Sequence, residues 1–323
     1  MSNGADTEAL RRRVASLVWT NHNVEIAPGV WTVPDQPPLL DDPRVRCIVR
    51  TVREALGGSL AGARVADLGC LEGGIALAFA LEGAQVLGIE GRATNVAKCR
   101  LLEECFALPN LAFEQGDARE FRPEKYGHFD AVVAAGLLYH LDQPVEFMRG
   151  AARCAKRVMV VDTHFAPDSE AGVAALQTMP FFDITWNPLM EADEVHDAGE
   201  VFEGRWWREY AEGLADEDVE RQLWASLNNP RSFWLTRASI YRLLTTSGFQ
   251  AVGERLDFLA PGADIATHLR EKSRSVFVGV RTNGETSEEM LRPEASLKAT
   301  LRRFRALSRT QGLRRAAKDL TKT

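Results

Sequence analysis

The amino-acid sequence predicts an α/β fold: a seven-stranded, mostly parallel sheet with helices on both faces. Three observations carry that prediction. Between Ala63 and Val161, short apolar runs alternate with helix-like segments, the pattern of right-handed β-α-β units. The first run ends in VADLGCLEGG, Val65 to Gly74, a glycine-rich turn that leads straight into a helical stretch. Late in the chain a helical segment at about Thr236 to Ser247, stopped by Gly248, precedes FQAVGERL and SVFVGVR, a strand pair that closes such a sheet.

Taken in order, RVADL is the first core strand and a helix starts near Gly73. QVLGIE is the second strand, followed by the helical ATNVAKCRLLEECFAL; LAFEQ is the third; FDAVVAA is the fourth, followed by QPVEFMRGAARCA; and RVMVVD is the fifth. Around this core the chain divides into an N-terminal cover over residues 1–60, a core at 61–164, an insertion at 165–232, the C-terminal part of the core at 233–286 and a tail at 287–323. In the cover, VEIAPGVWTVPDQPP is a loop or edge strand because of its prolines and glycine. The insertion holds Trp186, Trp206, Trp207 and Trp224 among many acids, which makes it an aromatic lid. In the tail, Leu297, Leu301, Phe304 and Leu307 fall at helical spacing among arginines, the pattern of a basic amphipathic helix.

Composition narrows the function classes. At 323 residues and 45% hydrophobic content the chain can bury a full core. No stretch approaches the roughly 20 apolar residues that span a bilayer, and MSNGADTEALRRR has no apolar secretory segment, so a cytoplasmic protein is expected. The five cysteines are dispersed and form no CxxC pair, so no metal centre is expected. From Arg292 onward the tail carries +8; against a net charge of −6, the rest of the chain carries −14. An acidic body argues against broad nucleic-acid binding, which depends on neutralising phosphates. A small-molecule or carrier-linked partner is favoured, with a homodimer open.

The glycine-rich turn lets a ligand approach the backbone at the N-terminus of a helix, where N–H groups are free. Its D-x-G-x-x-x-G spacing is neither the dinucleotide fingerprint nor a P-loop, and Asp67 repels a phosphate while attracting an ammonium. Glu90, at the end of the second strand, is where such a site accepts from ribose hydroxyls. After the third strand come Gly116, Asp117 and Ala118, where a carboxylate accepts from an adenine amino group. Three such motifs, each at the end of a consecutive strand, describe one nucleoside site.

On these residues the sequence resembles the class I S-adenosylmethionine-dependent methyltransferases, with a Rossmann-like core. VADLGCLEGG matches their first motif, VLGIEGR their acidic motif, QGDAREF their adenine loop and FDAVVAAGLLYHLDQP their fourth strand and loop. The resemblance covers residues 60–165 well and continues to about 281. It implies S-adenosyl-L-methionine as cofactor, with Asp67, Gly69, Cys70, Glu72 and Gly73 around the methionine moiety, Glu90 and Gly91 at the ribose, Asp117 and Ala118 at the adenine, and Gly136 and Leu137 beside them. NHNVEIAPGVWTVP, GLLYHLDQP and SFWLTRASIYRLLTTSGF are similar to the tRNA wobble-uridine carboxymethyltransferase family, which uses a carboxylated form of that cofactor. This chain has only about 60 residues before the first core strand and an acidic body, which reads as a relative with a changed substrate. The tRNA-modifying reading and a cofactor-binding protein without catalysis stand as alternatives.

Methyl transfer to a hydroxyl needs a proton removed, so a base is sought at the C-terminal edge of the sheet. His140 follows the fourth strand, and Asp162 and His164 follow the fifth. His140 is either a base or, with Tyr139, a brace for the cofactor loop. His22 is a candidate to fold over the site. Trp206 and Trp207, beside Arg205, form either a substrate cage or a small satellite core. No Lys or Arg lies near Gly136 to His140 in sequence, so the plain donor is expected over the carboxylated one.

Overall fold

The computed structural model describes residues 3–177 and 191–282. The basic tail and Trp186 lie outside them.

The chain opens with α1 (Asn3–Ala15), a short antiparallel pair β1 (Glu25–Ala27) and β2 (Val30–Trp31), and α2 (Pro43–Ala55). Asp42 caps α2 by accepting from the Arg44 and Val45 amides, and Pro43 occupies the first turn, where its missing N–H costs nothing. The core follows as β3 (Arg64–Leu68), α3 (Gly74–Leu81), β4 (Gln85–Glu90), α4 (Ala93–Phe106), β5 (Leu111–Gln115), α5 (Pro123–Tyr126), β6 (Phe129–Ala135), α6 (Pro144–Cys154) and β7 (Ala155–His164). The insertion holds α7 (Glu170–Gln177), β8 (Ala192–Asp197), β9 (Glu200–Arg208), α8 (Asp216–Glu220) and β10 (Arg231–Leu235). The chain then returns to the core through α9 (Arg237–Thr246), β11 (Ala251–Arg255), α10 (Ile265–Lys272) and β12 (Arg274–Val280).

The seven-stranded sheet has the order β11-β12-β7-β6-β3-β4-β5. Strands β5, β4, β3, β6 and β7 run parallel, and β12 lies antiparallel between β7 and β11. Its parallel strands are near-continuous apolar runs, buried on both faces by helices, as β6 (FDAVVAA) illustrates. The strand order reverses at the β3–β6 pair, so a crevice opens beyond the carboxyl ends of these two strands.

The insertion builds a second, three-stranded antiparallel sheet in the order β10-β9-β8. Because β10 pairs with β9, this element runs to Leu235, three residues past the expected boundary at 232. Phe202, Phe233 and Leu235 pack into the main core. Trp207 and Trp234 form a second cluster with Ala166, Val173 and Leu176. Among the described residues no helix is long and apolar enough to cross a membrane.

Candidate active site

The crevice at the switch point is a cleft lined by strand ends, the N-terminal cover and the insertion. Asp67, Gly69, Cys70 and Leu71 come from the end of β3, Glu90 to Arg92 from β4, Asp117 to Arg119 from β5, and Ala135 to Leu137 with Tyr139 to Leu141 from β6. Asn21, His22 and Arg44 reach it from the N-terminal cover, Asp162 and Arg274 from β7 and β12, and Leu223 to Leu227 with Asn229 from the insertion.

The β3 turn has the conformation that its glycines permit. Gly69 has φ +64°, and a Cβ there would lie 2.9 Å from Leu137 Cδ1, so the turn and the β6 loop touch only because the side chain is absent. At Gly91 a Cβ would meet Leu227 Cδ2 at 2.5 Å, so this glycine admits the insertion onto the end of β4.

Asp67 is fully buried, and neither of its carboxylate oxygens has a hydrogen-bond partner. Burial pushes its carboxyl up to about 7, an effect the nearby Ala76 amide opposes and Glu90 reinforces. A buried carboxylate facing a cleft without a partner is costly by itself and suits a cationic guest. Glu90 is also held above the usual carboxylate range by burial, although it accepts from the Leu71 amide at 2.9 Å and the Arg92 amide at 2.8 Å. Each of its oxygens retains lone-pair capacity for a hydroxyl. For Asp117 burial acts upward, but the Arg119 fork, at 2.9 and 2.6 Å, outweighs it and the carboxyl sits below its usual value.

The structure separates the remaining sequence candidates. Cys70, Gly91, Ala118, Gly136, Leu137, Tyr139 and His140 line the cleft. Glu72 and Gly73 do not. Glu72 is fully buried beneath the N-terminal cover, accepting from the Thr20, Asn21 and His22 amides and pairing with the buried Lys98 at 3.0 Å. Gly73 abuts Phe113 and Cys99. His22 borders the cleft, but its Nδ1 accepts from the Gly74 amide at 3.0 Å at the start of α3. Burial lowers its pKa to about 4, a poor setting for a base.

Asp162 lines the cleft as an ion-paired group, bound by Arg274 at 2.7 and 3.1 Å and approached by Arg44 at 3.6 Å. Burial alone would raise its pKa; these two arginines hold it below the usual range. His164 stands outside the cleft, stacked on Trp234 with ring centroids 5.4 Å apart. Arg205, Trp206 and Trp207 are also directed elsewhere. Both faces of β9 are packed against protein: Trp206 lies on Phe233 and donates to Asp193, Trp207 stacks on Trp234 at 4.9 Å, and Arg205 donates to Pro167 and Glu170. The tryptophan pair is therefore the satellite core, and the insertion reaches the cleft with Leu223 to Asn229 instead.

Four contributors were not among the residues singled out from the sequence. Arg274 and Arg44 bring cations into the cleft from β12 and α2, and Arg274 stands beside Gly136, against the expectation of none; the Arg274 guanidinium carbon lies 5.7 Å from the Tyr139 ring centroid. Arg92 is buried and donates to the carbonyls of Val219, Ala225 and Ser226, which ties the insertion over the cleft. Glu209, just past β9, meets His140 Nδ1 at 2.9 Å. A sharper reading of GIEGR would have singled out Arg92; the other three become neighbours only on folding.

Comparison with known proteins agrees with this geometry. Residues 66–158 match the family described as Methyltransferase domain. A ubiquinone biosynthesis O-methyltransferase of Acinetobacter baumannii (strain AYE) is 30% identical over 99 residues, 31% of this chain and 42% of the relative. The corresponding enzyme of Nitrosospira multiformis is 34% identical over 99 residues, 30% of this chain and 40% of the relative. The chain thus spans less than half the length of these relatives. Among solved structures, the N-terminal domain of EvdMO1, crystallised in the presence of SAH and D-fucose, superposes with a TM-score of 0.57 at 24% identity, covering 86% of this chain and 97% of that one. Residues 66–158 are thus similar to a methyltransferase domain, and the sheet that carries them is Rossmann-like.

Proposed function

We propose that the protein is an S-adenosylmethionine-dependent methyltransferase acting on an oxygen atom of a small or carrier-linked acceptor. The observation that carries this reading is Asp67: a buried, unpartnered carboxylate in a cleft that also presents Glu90 and Asp117 at successive strand ends. The donor set fits the cofactor by chemistry. Asp67 would hold the methionine ammonium, Glu90 the ribose hydroxyls, and Asp117 with Ala118 the adenine. Arg44, which shares Asp162 with Arg274, would hold the methionine carboxylate.

When bound, S-adenosylmethionine supplies a methyl group on a positively charged sulfur; its transfer to a hydroxyl forms a C–O bond, leaves the S–C electron pair on sulfur and releases one proton. The chain's residues orient the partners, exclude water and take up that proton. Leu223 to Leu227 cover the cleft, and fixing the reactants in line supplies much of the acceleration. The O-methyltransferase relatives support oxygen over nitrogen as the acceptor. An RNA acceptor would call for a basic face, whereas the body carries −14.

Calorimetry with S-adenosylhomocysteine tests this reading. Glu90→Ala removes the acceptor for both ribose hydroxyls and should weaken binding by roughly 1 to 3 kcal/mol. Unchanged affinity in a folded variant counts against the assignment.

A further inference from the structure

We propose that Glu209 is a positioning residue that sets the tautomer of His140, so that the pair takes the proton from a neutral acceptor hydroxyl. The inference rests on the methyl-transfer reading above and deepens it, because a carboxylate acceptor would need no base.

Glu209 comes from the insertion, and only 2% of its side chain is exposed. Each of three groups that meet its carboxylate can donate to it. Oε2 meets His140 Nδ1 at 2.9 Å and accepts from the Ser226 amide at 2.9 Å, while Oε1 accepts from the Ser232 hydroxyl at 2.6 Å. An oxygen that takes the Ser226 amide is an acceptor there, so the imidazole presents N–H to Oε2 at Nδ1, and Nε2 then carries the lone pair. The His140 backbone carbonyl accepts from Asn229 Nδ2 at 2.9 Å, which ties this loop to the insertion, and the ring centroid lies 4.2 Å from that of Tyr139.

His140 lines the cleft, and with Nδ1 engaged, Nε2 is the ring nitrogen left to serve it. As the C–O bond forms, the hydroxyl proton passes to Nε2. The resulting imidazolium is paired with Glu209 until the proton leaves to solvent. The other sequence candidates do not compete, since Asp162 is held by two arginines and His164 stacks on Trp234 outside the cleft. Ser226 also belongs to the segment that covers the cleft, so that segment contributes one of the hydrogen bonds that hold Glu209.

The test is nitrogen NMR of protein labelled at its six histidines, with His140→Gln used to assign the His140 signals. With S-adenosylhomocysteine present, the neutral His140 ring is expected to carry its proton on Nδ1 alone. Glu209→Ala should mix the two tautomers, and Glu209→Gln, which keeps an acceptor oxygen, should retain the wild-type form in large part. A wild-type proton on Nε2 overturns the proposal even if neither variant folds, and so does an unchanged tautomer in folded Glu209→Ala. Binding of S-adenosylhomocysteine is measured on the same samples. Its failure removes the methyl-transfer reading and this proposal with it, whereas binding with the proton on Nε2 removes this proposal alone.

Discussion

At the residue scale Asp67 makes the sharpest prediction. Its carboxyl titrates at about 7 in the fold and near 3.8 when freed from burial, so the folded protein keeps a proton that the unfolded chain has lost. The sign follows from linkage: the stability due to this group is full below the unfolded pKa and declines as pH rises through about 7. A bound ammonium favours the ionised form. Affinity for S-adenosylhomocysteine should therefore climb with pH up to about 7, by at most about tenfold per unit, and then level off. Asp67→Asn should flatten the profile; a wild-type profile already flat would show that Asp67 does not face the ammonium. Asp67, Glu90 and Asp117 were legible in sequence because β3, β4 and β5 end in order, and each strand end fixes where its acid points. Trp206 and Trp207 were not. Side chains alternate across a strand, and β9 is packed on both faces, so adjacent aromatics there are core.

At the scale of elements, the segment over the cleft is held by a few strong contacts. Arg92 reaches across from the end of β4 to three carbonyls at 2.8, 3.3 and 3.0 Å. Hydrogen bonds from a charged donor are worth roughly 1.5 to 3 kcal/mol each. Arg92→Ala should thus raise hydrogen exchange across residues 219–229 by tenfold or more while β3 to β7 stay protected. Unaltered exchange in that segment would mean that packing of Leu227 on Gly91 suffices to hold it. The alternation of strands and helices made the main sheet readable, down to the late pair that ends it. The N-terminal cover was legible as a separate element, but its attachment was not. Glu72 belongs to a glycine-rich cofactor motif by spacing, yet the fold uses it to accept three backbone amides of the cover and the buried Lys98. Long-range pairs of this kind leave no periodic trace.

At the scale of the whole molecule, an acidic body and a cleft closed by residues from both the cover and the insertion favour a small acceptor over a polynucleotide. The sheet and the three acids at its strand ends follow from local pattern, whereas the rest of the cleft is assembled from α2, the insertion and β12, segments far apart in sequence. The most direct measurement supplies the purified protein with S-adenosylmethionine carrying an isotopically labelled methyl group, adds metabolite and RNA fractions from cells separately, and follows the label by mass spectrometry. The account predicts label on a hydroxyl oxygen in the metabolite fraction, with S-adenosylhomocysteine formed in equal amount. Label in RNA nucleosides, or none in either fraction while S-adenosylhomocysteine still binds, would contradict it.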